Sequence, residues 1–375
     1  MKVCCLLSAN TTQDSRIFYG MLRTLVEKGF DVIAVEAGET KTKLGVRILG
    51  TGLPRSGRLW RMLFQTRRTY RLGIAQDADI YEIHDPEMLP FVKKLRRKGK
   101  IVIYDSMEDF PSTIREKEYL PTFIRIPLSK VFTAYEAHIA KSLQGVICCY
   151  SSVKERLSPY CKNIQFVYSF PEYDSDKIIP EKRGIDLRTV CYAGGISSQW
   201  MQEIIMDALT DIGDVHYRVA GRFSSDVYRQ KLMSHPNWKY VDYLGVLPHE
   251  QVETCVYDHS VVGICVLDYI AQCQGTEGNY ANTKLFEYMN AGLPVVATDF
   301  RIWRNIIERY HCGICVPPHD SSAIHDAIVY LLDHPDEAKL MGQNGRKAIQ
   351  KEFNRETDQA NYMMIYNTIL RRRDK

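Results

Sequence analysis

A chain of 375 residues is too long for one ordinary hydrophobic core and points to two domains of roughly 150–200 residues each. Its 45% hydrophobic and 25% charged content is that of a soluble globular protein, and no run approaches the ~18–20 apolar residues a spanning helix needs. The net charge of +4 is mild but unevenly placed: Arg55, Arg58, Arg61, Arg67, Arg68 and Arg71 fall in one segment of the first half, and Lys93, Lys94, Arg96, Arg97, Lys98 and Lys100 in another. Such a surface is either a solvated helix face or a place to meet anionic lipid headgroups or a phosphate-bearing acceptor.

In chain order, KVCCLLS (2–8) reads as a strand, followed by a helical RIFYGMLRTLVEKG that Gly29 stops, then the strand DVIAVEA. DIYEIH (79–84), a helix ending KKLRRKG, KIVIYDS (100–106), GVICCYS (145–151) and NIQFVYSF (163–170) continue the alternation. Nearly continuous apolar strands between helices are parallel strands covered on both faces. The polar segment around PEYDSDKIIPEKRGIDLR (171–188) reads as a linker. The alternation then restarts with RTVCYAGG, VHYRVAGRF, KYVDYLG, VGICVL, PVVATD and CGICVPP. A last helix, about 355–371, places Tyr362, Ile365, Tyr366 and Ile369 at helical spacing. The expected organisation is a domain over 1–172, a linker over 173–187, a second domain over 188–352, and a helix over 353–375 that packs back on the first. Two doubly wound domains would face across a cleft, with ligands at the carboxyl ends of their strands.

Most of the 11 cysteines lie in apolar strands (Cys4, Cys5, Cys148, Cys149, Cys191, Cys265), as small buried hydrophobes do in a reducing compartment. Cys312 and Cys315 lack the second pair a zinc site needs. Asp77-Ala-Asp79 leads into a strand rather than leaving one, which is the wrong edge for a D-x-D metal motif. MKVCCLLSANTTQD is too short in its apolar run for a signal peptide. The expected location is the cytoplasm, with peripheral contact on the inner face of the membrane open to the basic surface.

In the second half, Asn282 or Thr283 can cap a helix whose free N–H groups and Lys284 form an anion site apt for a diphosphate. Glu287, three residues after Lys284 on the same side, can accept two hydroxyls of a ribose. Gly194-Gly195 after a strand lets backbone approach a ligand, or makes a tight turn.

K-L-F-E-Y-M-x-A-G-L-P-V-V-A-T-D, C-G-I-C-V-P-P and M-G-x-N-G-R together resemble the retaining GT-B glycosyltransferases of family 4. The resemblance extends to D-S-R-I-F-x₅-L-V-E-K-G-F-D-V (14–32), I-H-D-P-E-M-L-P (83–90) and I-Y-D-S-M-E-D-F-P (103–111), and so over nearly the whole chain. It implies an α/β GT-B fold with a nucleoside-diphosphate sugar on the second domain and a glycan or glycolipid acceptor on the first. Glu287 would bind the donor ribose, Lys284 would lie near its phosphates, and Arg222 would be a phosphate ligand. His84 would approach the donor sugar, with Glu108 and Asp109 facing the acceptor. The family commonly carries a second Glu where this chain has Asn279, with Glu277 close enough to substitute. It often carries basic residues where this chain has Gln199-Trp200-Met201, and a His at Met107.

The function these readings imply is retaining transfer of a sugar from a nucleoside diphosphate to an acceptor hydroxyl, in bacterial surface polysaccharide or glycolipid assembly. The nucleotide-sugar is then substrate, with no cofactor and no required metal, and nucleic acid is not an expected partner. The alternatives are a non-catalytic nucleotide-sugar-binding or scaffolding protein, and a GT-B nucleotide-sugar epimerase.

Overall fold

The computed structural model describes residues 1–52, 57, 60–117, 120–177, 179 and 188–373. Arg55 and Arg58 of the first basic segment, and 178 and 180–187 of the expected linker, lie outside the described residues. The chain divides into two compact units, Met1–Ser169 with Arg355–Lys375, and Phe170–Asn354. The expected linker start, 173–177, thus falls inside the second unit.

Among the described residues the first unit holds an eight-stranded sheet in the order β3-β4-β2-β1-β5-β6-β7-β8. These strands are β1 (Lys2–Leu6), β2 (Asp31–Glu36), β3 (Lys41–Lys43), β4 (Val46–Gly50), β5 (Ile80–Ile83), β6 (Ile101–Ser106), β7 (Gly145–Cys148) and β8 (Ile164–Phe166). All pairings are parallel except β3 with β4 at the edge. The apolar runs are explained by two cores, one on each face. Cys4, Leu6, Ile33, Val35, Tyr81 and Ile83 point into one. Val3, Cys5, Val32, Ala34 and Ile80 point into the other, where Tyr362, Ile365, Tyr366 and Ile369 of the helix Arg355–Arg373 close the layer. Adjacent residues of a strand face opposite sides, so a strand buried on both must be apolar throughout.

The second unit repeats the plan with six parallel strands in the order β11-β10-β9-β12-β13-β14. They are β9 (Thr189–Ala193), β10 (His216–Ala220), β11 (Val241–Tyr243), β12 (Val262–Cys265), β13 (Val295–Thr298) and β14 (Gly313–Val316). In each sheet the chain leaves one central strand in one direction and returns on its other side. That reversal falls between β1 and β5 in the first unit and between β9 and β12 in the second. Loops diverge at such a point and leave room for a ligand.

Candidate active site

At the reversal in the second unit, the loop after β9 and the loop before the helix Thr283–Asn290 lie together. Gly194 (φ +143°) and Gly221 (φ +150°) end β9 and β10. A Cβ on Gly221 would fall 1.7 Å from the carbonyl oxygen of Gly194, and one on Gly194 would fall 2.2 Å from Cε of Lys284. Neither position tolerates a side chain. Gly195 has open space around it, and its carbonyl accepts from Tyr192 Oη at 2.5 Å.

The stem of Lys284 therefore runs over bare backbone, and its ammonium sits 3.8 Å from the ring centre of Trp200. Burial pulls the Lys284 pKa down from its ordinary value, against the pull of Cys265 and Glu287. A cation stacked on an indole and short of water gains more from an incoming anion than a solvated lysine would. Trp200, where basic residues often stand in the resembling family, thus supports the cation instead of supplying one.

Glu287 is half-buried among Leu285, Phe286, Tyr288 and Met289. Tyr257 Oη donates to its Oε2 at 2.8 Å. The expected cap is not formed: Asn282 takes the N-cap position without a side-chain cap bond, its amide turned to Cys273 Sγ at 3.8 Å. The opening N–H groups of the helix are left to other partners. Arg222 is exposed after β10. Asn279 is buried, its side-chain Oδ1 accepting from Ala281 N at 2.9 Å and its Nδ2 facing Cys273 Sγ at 3.3 Å, so its side chain shapes the loop. Glu277 is held by Arg301, Nε to Oε2 2.7 Å, which lowers its pKa.

In the first unit the loops after β1, β5 and β6 open on a pocket of about 820 Å³. Its polar wall has Asn10, Asp85, Glu87 with Arg61, and Glu108; its apolar wall has Phe110, Ile114, Leu128 and Phe132. Asp85 fixes the first loop, accepting from Ser8 N at 2.6 Å, Ala9 N at 2.9 Å and Asn10 Nδ2 at 2.8 Å. Glu108 is exposed on the pocket wall. Asp109 is not beside it as expected: its carboxylate turns inward to Ser112, Ser152 and Arg156 at 2.8–2.9 Å.

His84 is also differently placed from the expectation. Its side chain borders the pocket, yet the residue is 1% exposed, and its ring faces carboxylates on both nitrogens. Nδ1 lies 3.0 Å from Asp105 Oδ2 and Nε2 lies 2.9 Å from Glu82 Oε1. Arg16 makes two bonds to Asp105 at 2.7 and 2.9 Å, and Tyr362 and Tyr366 both donate to Glu82 Oε2 at 2.8 and 2.7 Å. Burial opposes the imidazolium, but the bonds to Asp105, Cys5 and Glu82 outweigh it and raise the His84 pKa well above its ordinary value. Burial would likewise raise the Asp105 pKa, yet Arg16 and His84 hold it down at about 2. Two cations thus meet two acids in the interior. The sequence signal for this network was Glu82 and Asp105 inside otherwise apolar strands, where an acid must find partners.

Comparison with known proteins adds to this geometry. The chain resembles, over its full length, the solved structure of a sucrose-phosphate synthase (tll1590) from Thermosynechococcus elongatus: TM-score 0.73, 14% identity, 99% of both chains covered. It resembles Anabaena Alr3699/HepE, solved in complex with UDP-glucose, with TM-score 0.69, 14% identity, and 99% of this chain and 100% of that one covered. A glycosyltransferase from Rickettsia africae ESF-5 gives TM-score 0.69 at 13% identity, with 98% of both chains covered. This is the GT-B fold. Residues 177–348, which carry Gly194, Lys284 and Glu287, match the family model described as Glycosyl transferases group 1. No curated protein matches the chain. At these identities the GT-B likeness speaks for the fold, and the chemistry must be argued from the residues themselves.

Proposed function

We propose that this chain is a retaining glycosyltransferase that takes a sugar from a nucleoside diphosphate and passes it to an acceptor hydroxyl. The observation that carries the reading is the second unit's helix Thr283–Asn290, with an N-terminus that the Asn282 side chain leaves uncapped, Lys284 partly dehydrated over Gly194, and half-buried Glu287. A diphosphate needs charge stabilisation as it leaves, and a helix N-terminus with a dehydrated cation supplies it. Exposed Arg222 offers a second cation from the next loop. Glu287 keeps one oxygen on Tyr257, which orients the carboxylate and leaves Oε1 to accept ribose hydroxyls.

The match to the group 1 model supports this reading, as does the UDP-glucose complex of the HepE neighbour. In the retaining route the acceptor attacks on the face the diphosphate leaves, and a phosphate oxygen takes the acceptor proton. No side-chain nucleophile is called for. His84 then acts as a positioning residue for the loop that begins with Asp85, while Glu108, exposed on the pocket wall, is the group available to an acceptor. We assign the acceptor to surface polysaccharide or glycolipid assembly.

A melting-temperature panel with UDP, GDP, CDP and their sugars tests the reading. One nucleoside diphosphate should stabilise the protein, by about 2.7 kcal/mol at a hundredfold excess over its Kd. No shift with any of them would overturn it. Donor hydrolysis would separate a transferase from a binding protein, and release of an epimerised sugar would favour an epimerase.

A further inference from the structure

The helix Thr122–Ala140 buries Ile139 and Ala140 at its end but turns the apolar residues of its first half to solvent. Phe123 is 79% exposed, Ile126 51% and Val131 66%, whereas Ser129 and Glu136 are buried. Across the same pocket, the helical turn Arg61–Gln65 exposes Met62, Leu63 and Phe64. Both segments line that pocket, through Met62 on one side and Leu128 and Phe132 on the other. An apolar rim of this extent is costly in water and marks a docking surface.

Charge says what docks there. Residues 61–76 hold Arg61, paired with Glu87, and Arg67, Arg68 and Arg71, with no acidic residue among them, and 119–135 hold Arg125 and Lys130 with none. Arg67, Arg68, Arg71 and Lys130 are exposed. Large apolar side chains beside exposed cations suit an anionic bilayer, where the first enter the acyl boundary and the second meet the headgroups.

We infer that this face of the first unit docks on an anionic membrane, and that the pocket opening on it receives the hydrocarbon chain of a membrane-borne acceptor. The apolar wall of Phe110, Ile114, Leu128 and Phe132 fits such a chain, and the polar loops after the strands fit its head. The acceptor half rests on the glycosyl-transfer reading above; the docking half stands without it.

The test uses the full chain with vesicles of phosphatidylcholine alone or with one third phosphatidylglycerol. The wild type should bind the anionic vesicles, less at high salt and less to the neutral ones. Phe123→Glu with Val131→Glu touches exposed positions only, so melting temperature and its rise with UDP should match the wild type. Vesicle affinity should fall about tenfold or more, because two apolar side chains leave the interface. Lipids brominated on the acyl chain should quench wild-type tryptophan fluorescence, and Trp60→Phe should remove most of that quenching. Unchanged vesicle binding by the double variant, or none by the wild type, would overturn the inference. So would a wild-type dimer, without vesicle binding, that the double variant dissociates. Vesicle binding by a wild type that responds to none of UDP, GDP and CDP would instead strike the donor reading.

Discussion

Glu287 poses the residue-scale question of what a carboxylate does on an otherwise apolar helix. Tyr257 answers half of it, by one bond to Oε2. Glu287→Ala should lower nucleotide affinity about 100-fold or more, since two charge-assisted bonds are worth roughly 1.5–3 kcal/mol each. Tyr257→Phe should cost only about 3–10-fold, the loss of one bond of about 1 kcal/mol that orients the acid. Titration calorimetry on both variants checks the order, and a Glu287→Ala protein with normal affinity would remove the residue from the site. Position and charge of Glu287 and Lys284 were legible in the sequence. The partners were not, because Tyr257 and Trp200 come from other loops and carry no spacing signal.

His84 gives a pH prediction whose sign follows from its raised pKa. Stability from the imidazolium is fully present below the unfolded value of about 6.5 and is lost as pH rises through the folded pKa, by up to about 1.4 kcal/mol per pH unit. Asp105 works in the opposite sense: its contribution is present above about 3.9 and is lost as pH falls toward about 2. Chemical denaturation across pH should show both limbs for the wild type. His84→Gln should lose the alkaline limb and about 3–5 kcal/mol, because two buried acids lose the cation between them: Asp105 keeps Arg16, but Glu82 keeps only the neutral hydroxyls of Tyr362 and Tyr366 beside it. A variant of normal stability that transfers poorly would return His84 to direct chemistry.

At the scale of elements, the parallel strands were legible because burial on both faces leaves one apolar pattern. The pair β3 and β4 was not read: β3, Lys-Thr-Lys, is exposed along its length and has no apolar face to announce it. The helix Thr122–Ala140 was missed for a related reason. It carries Pro127 inside and turns apolar residues outward, so the usual amphipathic rule gives no signal. Backbone approach is the other elemental feature. The ends of β9 and β10 meet at Gly194 and Gly221, both with φ values that side chains avoid. Gly221→Ala should therefore destabilise the second unit by several kcal/mol, since its Cβ would overlap the Gly194 carbonyl and the backbone would be strained. Its melting curve should show loss of that unit's transition. An Ala variant with unchanged melting would mean the loops can part without cost, and that the close approach does not shape the site.

For the whole molecule, the two units have separate cores and separate sheets, each with loops gathered at the reversal of strand order. That plan was readable from alternation alone, whereas the assignment of roles rests on the groups those loops carry. The second unit has the dehydrated Lys284 and the oriented Glu287; the first has the pocket with its apolar wall. Hydrogen exchange with and without nucleoside diphosphate should separate the roles, because bound ligand suppresses opening only in the elements it holds. Protection should rise in 194–201 and in the helix Thr283–Asn290. The segments 84–91 and 107–117 should stay as they were until an acceptor is added. Protection appearing first around Asp85 and Glu108, with the helix Thr283–Asn290 unchanged, would reverse the assignment of donor and acceptor to the two units.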